Sequence, residues 1–267
     1  MDGDRERPAG EARSEVIAGG GPGDARLAVL IRVAMRACVV VFPGSNADAE
    51  MIHTLRDVCG AARGDVRVVW HTETTLPSGT DLVAIPGGFS YGDYLRCGAI
   101  AKVSPIVPAI RAHADRGGYV LGVCNGFQIL TEVGLLPGAL TRNLHMRFEC
   151  GDFHVKVTAK GPFTKEPGKV WRLPIAHAEG RYQATERVMK ELADGDRIAL
   201  RYCTANGDVT DAANPNGSLD GIAGIYGGAK KNVFGLMPHP ERISESVLSP
   251  DGRADGRELF ECVLAQA

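Results

Sequence analysis

Cys124 is the residue in this chain most clearly set up for chemistry. It stands in Gly122-Val123-Cys124-Asn125-Gly126, after the apolar run Tyr119–Val123 and before Phe127-Gln128-Ile129-Leu130. A strand that turns at once into a helix, with glycines on either side of a central thiol, is the sulfur analogue of the G-x-S-x-G nucleophile elbow. The turn is tight, so small residues must flank the central one. Its side chain then projects alone at the carboxyl edge of the sheet, where open α/β folds hold their ligands. A helix N-terminus also offers partial positive charge and free N–H groups, which favour the attacking thiolate. The Asn125 N–H can point at an oxyanion formed on the attacked carbonyl. An arbitrary cysteine is better read as a core residue, because free cysteine is among the most buried types. The flanking glycines reverse that preference here but leave the substrate open.

A thiolate nucleophile needs a base that later protonates the leaving amine. Among seven histidines, His239 follows the apolar run Val233–Met237 and precedes Pro240-Glu241. Pro240 fixes the backbone, and in an extended segment Glu241 lies on the same side as His239. A carboxylate there sets the imidazole tautomer and stabilises the imidazolium. Pro86-Gly87-Gly88-Phe89-Ser90 follows the run Leu82–Ile85. Adjacent glycines let backbone approach a ligand closely, so an N–H there could complete an oxyanion hole with Asn125; alone, the segment reads as a simple turn. His145, Cys150 and His154 are zinc-ligand types, but their spacing matches no common zinc pattern and a fourth ligand is not evident, so no metal site is expected. His53 reads as a surface or structural residue, and His71 and His113 have no visible partner.

These groups need elements to carry them. Ala37–Phe42, Val66–Trp70, Leu82–Ile85, Tyr119–Val123, Val155–Thr158, Ile198–Cys203, Gly221–Ile225 and Val233–Met237 read as strands. Helices are expected around Met51, Ile52, Leu55, Val58 and Cys59, over Ile106–Arg116, after Cys124, over Thr185–Ala193 and over Arg257–Ala265. Ser45 with Asp48 resembles a capping box for the first helix. The alternation predicts an α/β fold with a mostly parallel central sheet flanked by helices. Residues 1–34, rich in Gly, Arg, Asp, Glu and Pro, are expected to form a disordered extension before one domain over residues 35–267.

The chain has 267 residues, 44% hydrophobic, with a net charge of -2. That length buries a sizeable core, and that charge points to neither nucleic acid nor an anionic membrane. Seven dispersed cysteines without a CxxC pair read as reduced thiols of a cytoplasmic protein. No apolar run approaches a membrane span, and the acidic residues before Leu27 argue against a signal peptide. No Walker motif appears; Gly227-Gly228-Ala229-Lys230 lacks the pattern, so ATP is expected on a partner.

The Cys124 and Met237-Pro238-His239-Pro240-Glu241-Arg242 motifs resemble those of the class I, or triad, glutamine amidotransferases, a flavodoxin-like fold. Four further segments are similar to the glutaminase subunits that serve purine biosynthesis: Val41–Asn46, Pro86–Arg96, Pro174–Arg181 and Asn214–Ser218. The resemblance runs from about Ala37 to the C-terminus. It implies a triad of Cys124, His239 and Glu241, an oxyanion hole from the backbones of Gly88 and Asn125, and a substrate contact from Gln128. It also implies that ammonia from glutamine passes to a larger synthetase subunit, which uses ATP and Mg to make formylglycinamidine ribonucleotide, with a small third subunit in the complex. This chain itself then needs no cofactor. Ala47 and Ala178 stand where the family has Cys and Gly, and the segment around 145–154 departs from its pattern. His177, Glu179 and Arg181 are expected to face the partner or the active-site rim, or to form internal salt bridges. Met35 stands where the family's chains begin. Two alternatives remain at this point: a glutaminase serving another synthetase, or a non-catalytic regulatory module of the same fold.

Overall fold

The strands that carry the site are the most apolar stretches of the chain, and burial on both faces explains why. The computed structural model describes residues 35–59 and 66–266. Strands β1 (Ala37–Val41), β3 (Leu82–Ile85) and β11 (Val233–Leu236) are buried at every residue, and β4 (Tyr119–Val123) at all but its first. Such runs suit the centre of a parallel sheet, where alternation has no solvent face to serve. Each fully buried Val, Leu or Phe side chain contributes about 1.5–3 kcal/mol.

Nine strands form one sheet in the order β2-β1-β3-β4-β11-β10-β9-β6-β7, with β2 at Val66–Trp70, β10 at Ile222–Gly227, β9 at Ile198–Cys203, β6 at Glu149–Val157 and β7 at Val170–His177. The half from β2 to β11 is parallel, as expected. From β11 onward every pairing is antiparallel. Two short strands, β5 (Ala139–Thr141) and β8 (Arg181–Gln183), pair apart from it. Helices α1 (Asp48–His53), α2 (Val107–Asp115), α3 (Asn125–Glu132), α4 (Glu186–Asp194) and α5 (Asp255–Leu264) lie where the apolar periodicity predicts helix. Thr185 caps α4 by accepting from the Val188 N–H.

Three expectations change. Ser45 does not cap α1; the cap position is Ala47, and Ser45 Oγ accepts from the Phe42 N–H at 3.1 Å. The first helix does not run straight to Cys59; at Thr54 it widens into a π turn closed by the Cys59 N–H on the Thr54 carbonyl. Strand β6 starts six residues before the expected Val155 and pairs with β7, which apolar pattern alone did not reveal. Strand β7 contains Pro174 and lies at the sheet edge, where a missing N–H costs no ladder bond. The expected extension over residues 1–34 lies outside the described residues.

Candidate active site

The elbow forms as its residue types require. Cys124 follows β4 and precedes α3, and its backbone sits at φ 51, ψ -105, a conformation that side-chain-bearing residues rarely adopt. Strain of that kind costs about 1–3 kcal/mol and persists only where surrounding structure enforces it. The Cys124 N–H donates to the Leu236 carbonyl at 2.8 Å, and the Gln128 N–H to the Cys124 carbonyl at 3.1 Å. Gly126 explains the tightness: a Cβ there would lie 2.1 Å from the Ile85 carbonyl oxygen.

Sheet register delivers the histidine. Strands β4 and β11 are adjacent and parallel with Val123 opposite Leu236, so the chain leaves both strands on the same edge. His239 is fixed by its N–H on the Pro174 carbonyl at 2.8 Å. A Cβ added to Gly87 would meet the His239 ring at 2.6 Å and the Cys124 Cβ at 3.4 Å. The ring edge and the nucleophile therefore border the same atom-sized space. Cys124 is 5% exposed and His239 2%, so the pair is almost sealed from water.

His239 Nδ1 donates to Glu241 Oε1 at 2.5 Å, and the carboxylate is fully buried. The route differs from the extended one expected: Pro240 opens a 3-10 turn, Pro240–Ile243, that folds Glu241 back under the ring. With Nδ1 held, Nε2 is left for chemistry, and among the described residues it has no hydrogen-bond partner. Burial alone would lower the His239 pKa. The Glu241 carboxylate and the Cys124 sulfur outweigh it and push the ring up to about 10. A protonated ring beside the elbow sulfur is a proton donor placed against a nucleophile.

The other expected residues surround this pair. Gly88, at φ 152, pairs with Ser45 in an isolated bridge, and the Phe89 N–H donates to the Gly44 carbonyl at 2.8 Å. Neither the Gly88 nor the Asn125 backbone N–H donates to another described residue, which leaves both available to an oxyanion. The Asn125 side chain accepts from the Ser90 N–H at 3.1 Å and donates to Gln128 Oε1 at 2.8 Å. Gln128 Nε2 donates in turn to the Glu179 carbonyl at 2.7 Å, leaving one amide hydrogen among the described residues. A single chain of hydrogen bonds thus ties the Gly-rich loop, the start of α3 and the turn after β7.

The residues in and around that turn make contacts within the chain. His177 is buried, with Nδ1 3.2 Å from Asn143 Oδ1, and burial followed by repulsion from His239 pushes its pKa down to about 4. Glu179 makes the ion pair, though with Arg142 at 3.6 Å, and its other oxygen accepts from the Cys97 N–H. Arg181 donates to the Gly217 carbonyl. Asn216 and Ser218 hold the Gly180 carbonyl from the other side. His145 meets the Pro215 carbonyl and Glu149, His53 meets Asp57 and Glu245, and all seven thiols are free. Thr54, Ser244 and Asn143 were not legible as site residues, since nothing local in a sequence marks a hydroxyl or amide that meets the site only in space.

Comparison with known proteins follows the same line. Residues 34–261 match the family model described as a CobB/CobQ-like glutamine amidotransferase domain. The chain is 52% identical over 229 residues to the phosphoribosylformylglycinamidine synthase subunit PurQ of Bradyrhizobium diazoefficiens, covering 85% of this chain and 95% of that protein. It is 51% identical over 233 residues to the subunit of the same name from Rhodospirillum rubrum, covering 86% and 98%. Among solved structures, that of PurLQS from Thermotoga maritima superposes with a TM-score of 0.72 at 39% identity, over 88% of this chain and 99% of the matched one.

Proposed function

Because the chain belongs to the glutaminase (PurQ) subunits of phosphoribosylformylglycinamidine synthase, we propose that Cys124, His239 and Glu241 are the triad that releases ammonia from glutamine in purine biosynthesis. The observation that carries the assignment is the sealed arrangement of His239 between Glu241 and the elbow cysteine.

The cycle follows from the geometry. The Cys124 sulfur attacks the glutamine δ-carbonyl carbon, and the backbone N–H groups of Gly88 and Asn125 stabilise the oxyanion. Two such donors are worth about 3–4 kcal/mol each at most. His239 gives its proton to the departing nitrogen, the C–N bond breaks, and a γ-glutamyl thioester remains. Water then adds to the thioester with His239 as base and Glu241 stabilising the imidazolium, releasing glutamate and the free thiol. Gln128, with its remaining amide hydrogen, is the proposed substrate contact.

The chain works with a synthetase subunit, which receives the ammonia. A small third subunit, ATP and Mg on the synthetase, and a cytoplasmic setting complete the proposal. Free thiols and the absence, among the described residues, of a helix able to cross a membrane are compatible with that setting. The test is amidine synthesis by the reconstituted complex carrying Cys124→Ala. Glutamine-dependent synthesis is lost and ammonia-dependent synthesis persists; a native rate with glutamine would end the proposal.

A further inference from the structure

We propose that Thr54 and Ser244 are positioning residues for this reaction, their buried hydroxyls holding the Glu241 backbone so that its carboxylate stays on His239. The inference rests on the triad reading above and extends it to two residues outside the triad.

The Glu241 carboxylate is lightly held. Oε1 accepts from His239, but Oε2 has no hydrogen-bond partner among the described residues. Its direction is therefore set mainly from the backbone side. There no well-aligned Ser244 N–H bond reaches the Glu241 carbonyl at the end of the turn over Pro240–Ile243. Two hydroxyls take that place. Thr54 Oγ1 lies 3.3 Å and Ser244 Oγ 3.2 Å from the Glu241 carbonyl oxygen, and the hydroxyls are 3.0 Å apart. Each has one hydrogen, so two hydrogens serve three contacts. Either both donate to the carbonyl, or one donates to the other, which donates to the carbonyl. In every arrangement the Glu241 carbonyl is the terminal acceptor.

Both residues are wholly buried, where an unbonded hydroxyl is costly. Thr54 opens the π turn, and such insertions occur often at functional sites. The flanking His53, Arg56 and Asp57 face solvent. His53 also meets Glu245 at 2.8 Å, but that pair is 49% and 39% exposed, so water screens it. The opposite side of the segment is braced by α5, where a Cβ on Gly256 would overlap the Pro240 carbonyl. The Pro240-Glu241 backbone is thus clamped between a hydroxyl pair and a helix.

The test is steady-state glutaminase kinetics over pH in the complex with the synthetase subunit, using T54V, S244A, the double variant, T54S and E241Q. The double variant should lower kcat roughly tenfold with KM for glutamine unchanged. The basic limb of its pH profile should move to lower pH, because a loosened carboxylate stabilises the imidazolium less. T54S should restore both. A double variant with native kcat, or with reduced kcat and an unmoved limb, overturns the proposal, since a smaller folded fraction scales the rate without shifting the limb. If E241Q moves the limb and the double variant does not, only the positioning role falls. If E241Q leaves the limb in place, the triad reading falls and this proposal falls with it.

Discussion

Replacing Cys124 by glycine should stabilise the fold relative to replacing it by alanine. Both changes remove the thiol, so its burial and chemistry cancel in the comparison; what differs is the Cβ. At an ordinary buried position glycine is the worse residue, by about 0.5–1 kcal/mol of chain entropy and about 0.8 kcal/mol for one lost buried carbon. At φ 51, ψ -105 the Cβ itself is the burden, and relieving it returns about 1–3 kcal/mol. The two terms leave Cys124→Gly between about 0.8 kcal/mol less stable and about 1.7 kcal/mol more stable than Cys124→Ala, with the middle of that range favouring glycine. Urea unfolding, comparing midpoints at equal slope, reads this directly. Should the glycine variant prove less stable by about 1–2 kcal/mol, as at an unstrained site, the strained elbow is wrong.

Three further outcomes are expected. Gly126→Ala places a Cβ on the Ile85 carbonyl, backbone against which nothing can rotate away, so it should cost about 1–3 kcal/mol and abolish glutamine use; denaturation midpoint and turnover report both. Asn125→Ala leaves the Ser90 N–H and Gln128 Oε1 unpartnered in a buried site, a loss of about 2–4 kcal/mol with lower kcat/KM for glutamine. Stability should also bend in opposite directions around pH 6.5. His239, raised to about 10, stays protonated in the folded state when the unfolded chain has lost its proton, so its contribution is full below 6.5 and is lost as pH rises through 10. His177, lowered to about 4, stays neutral when the unfolded chain protonates, so its contribution is full above 6.5 and is lost as pH falls through 4. Unfolding midpoints across pH should show both slopes, with His239→Gln flattening the alkaline one and His177→Gln the acid one.

Strands β1, β3, β4 and β11 could be read from the sequence because both their faces are buried. Leu82–Ile85 and Tyr119–Val123 are apolar runs bounded by turn residues, and their ends fall where expected. Strand β7 was hidden by Pro174, although Trp171, Leu173, Ile175 and His177 point inward in strict alternation. Strand β6 was hidden by its first half, Glu149–Asp152, which is polar and partly solvated. Cys124, His239 and Glu241 were legible because each lies in a local motif whose residue types have a mechanical reason. Thr54 and Ser244 were not, because one lies on the first helix and the other beyond the last strand, and only the packing of those elements makes them neighbours.

Turnover through the proposed triad places a γ-glutamyl group on Cys124. Acid quenching of the complex during turnover of labelled glutamine, followed by peptide mass analysis, tests it most directly. Label should be bonded to the peptide that contains Cys124, with none on the corresponding peptide of the Cys124→Ala complex. Label bonded to any other residue, or glutamine consumed by the Cys124→Ala complex at the native rate, would contradict it.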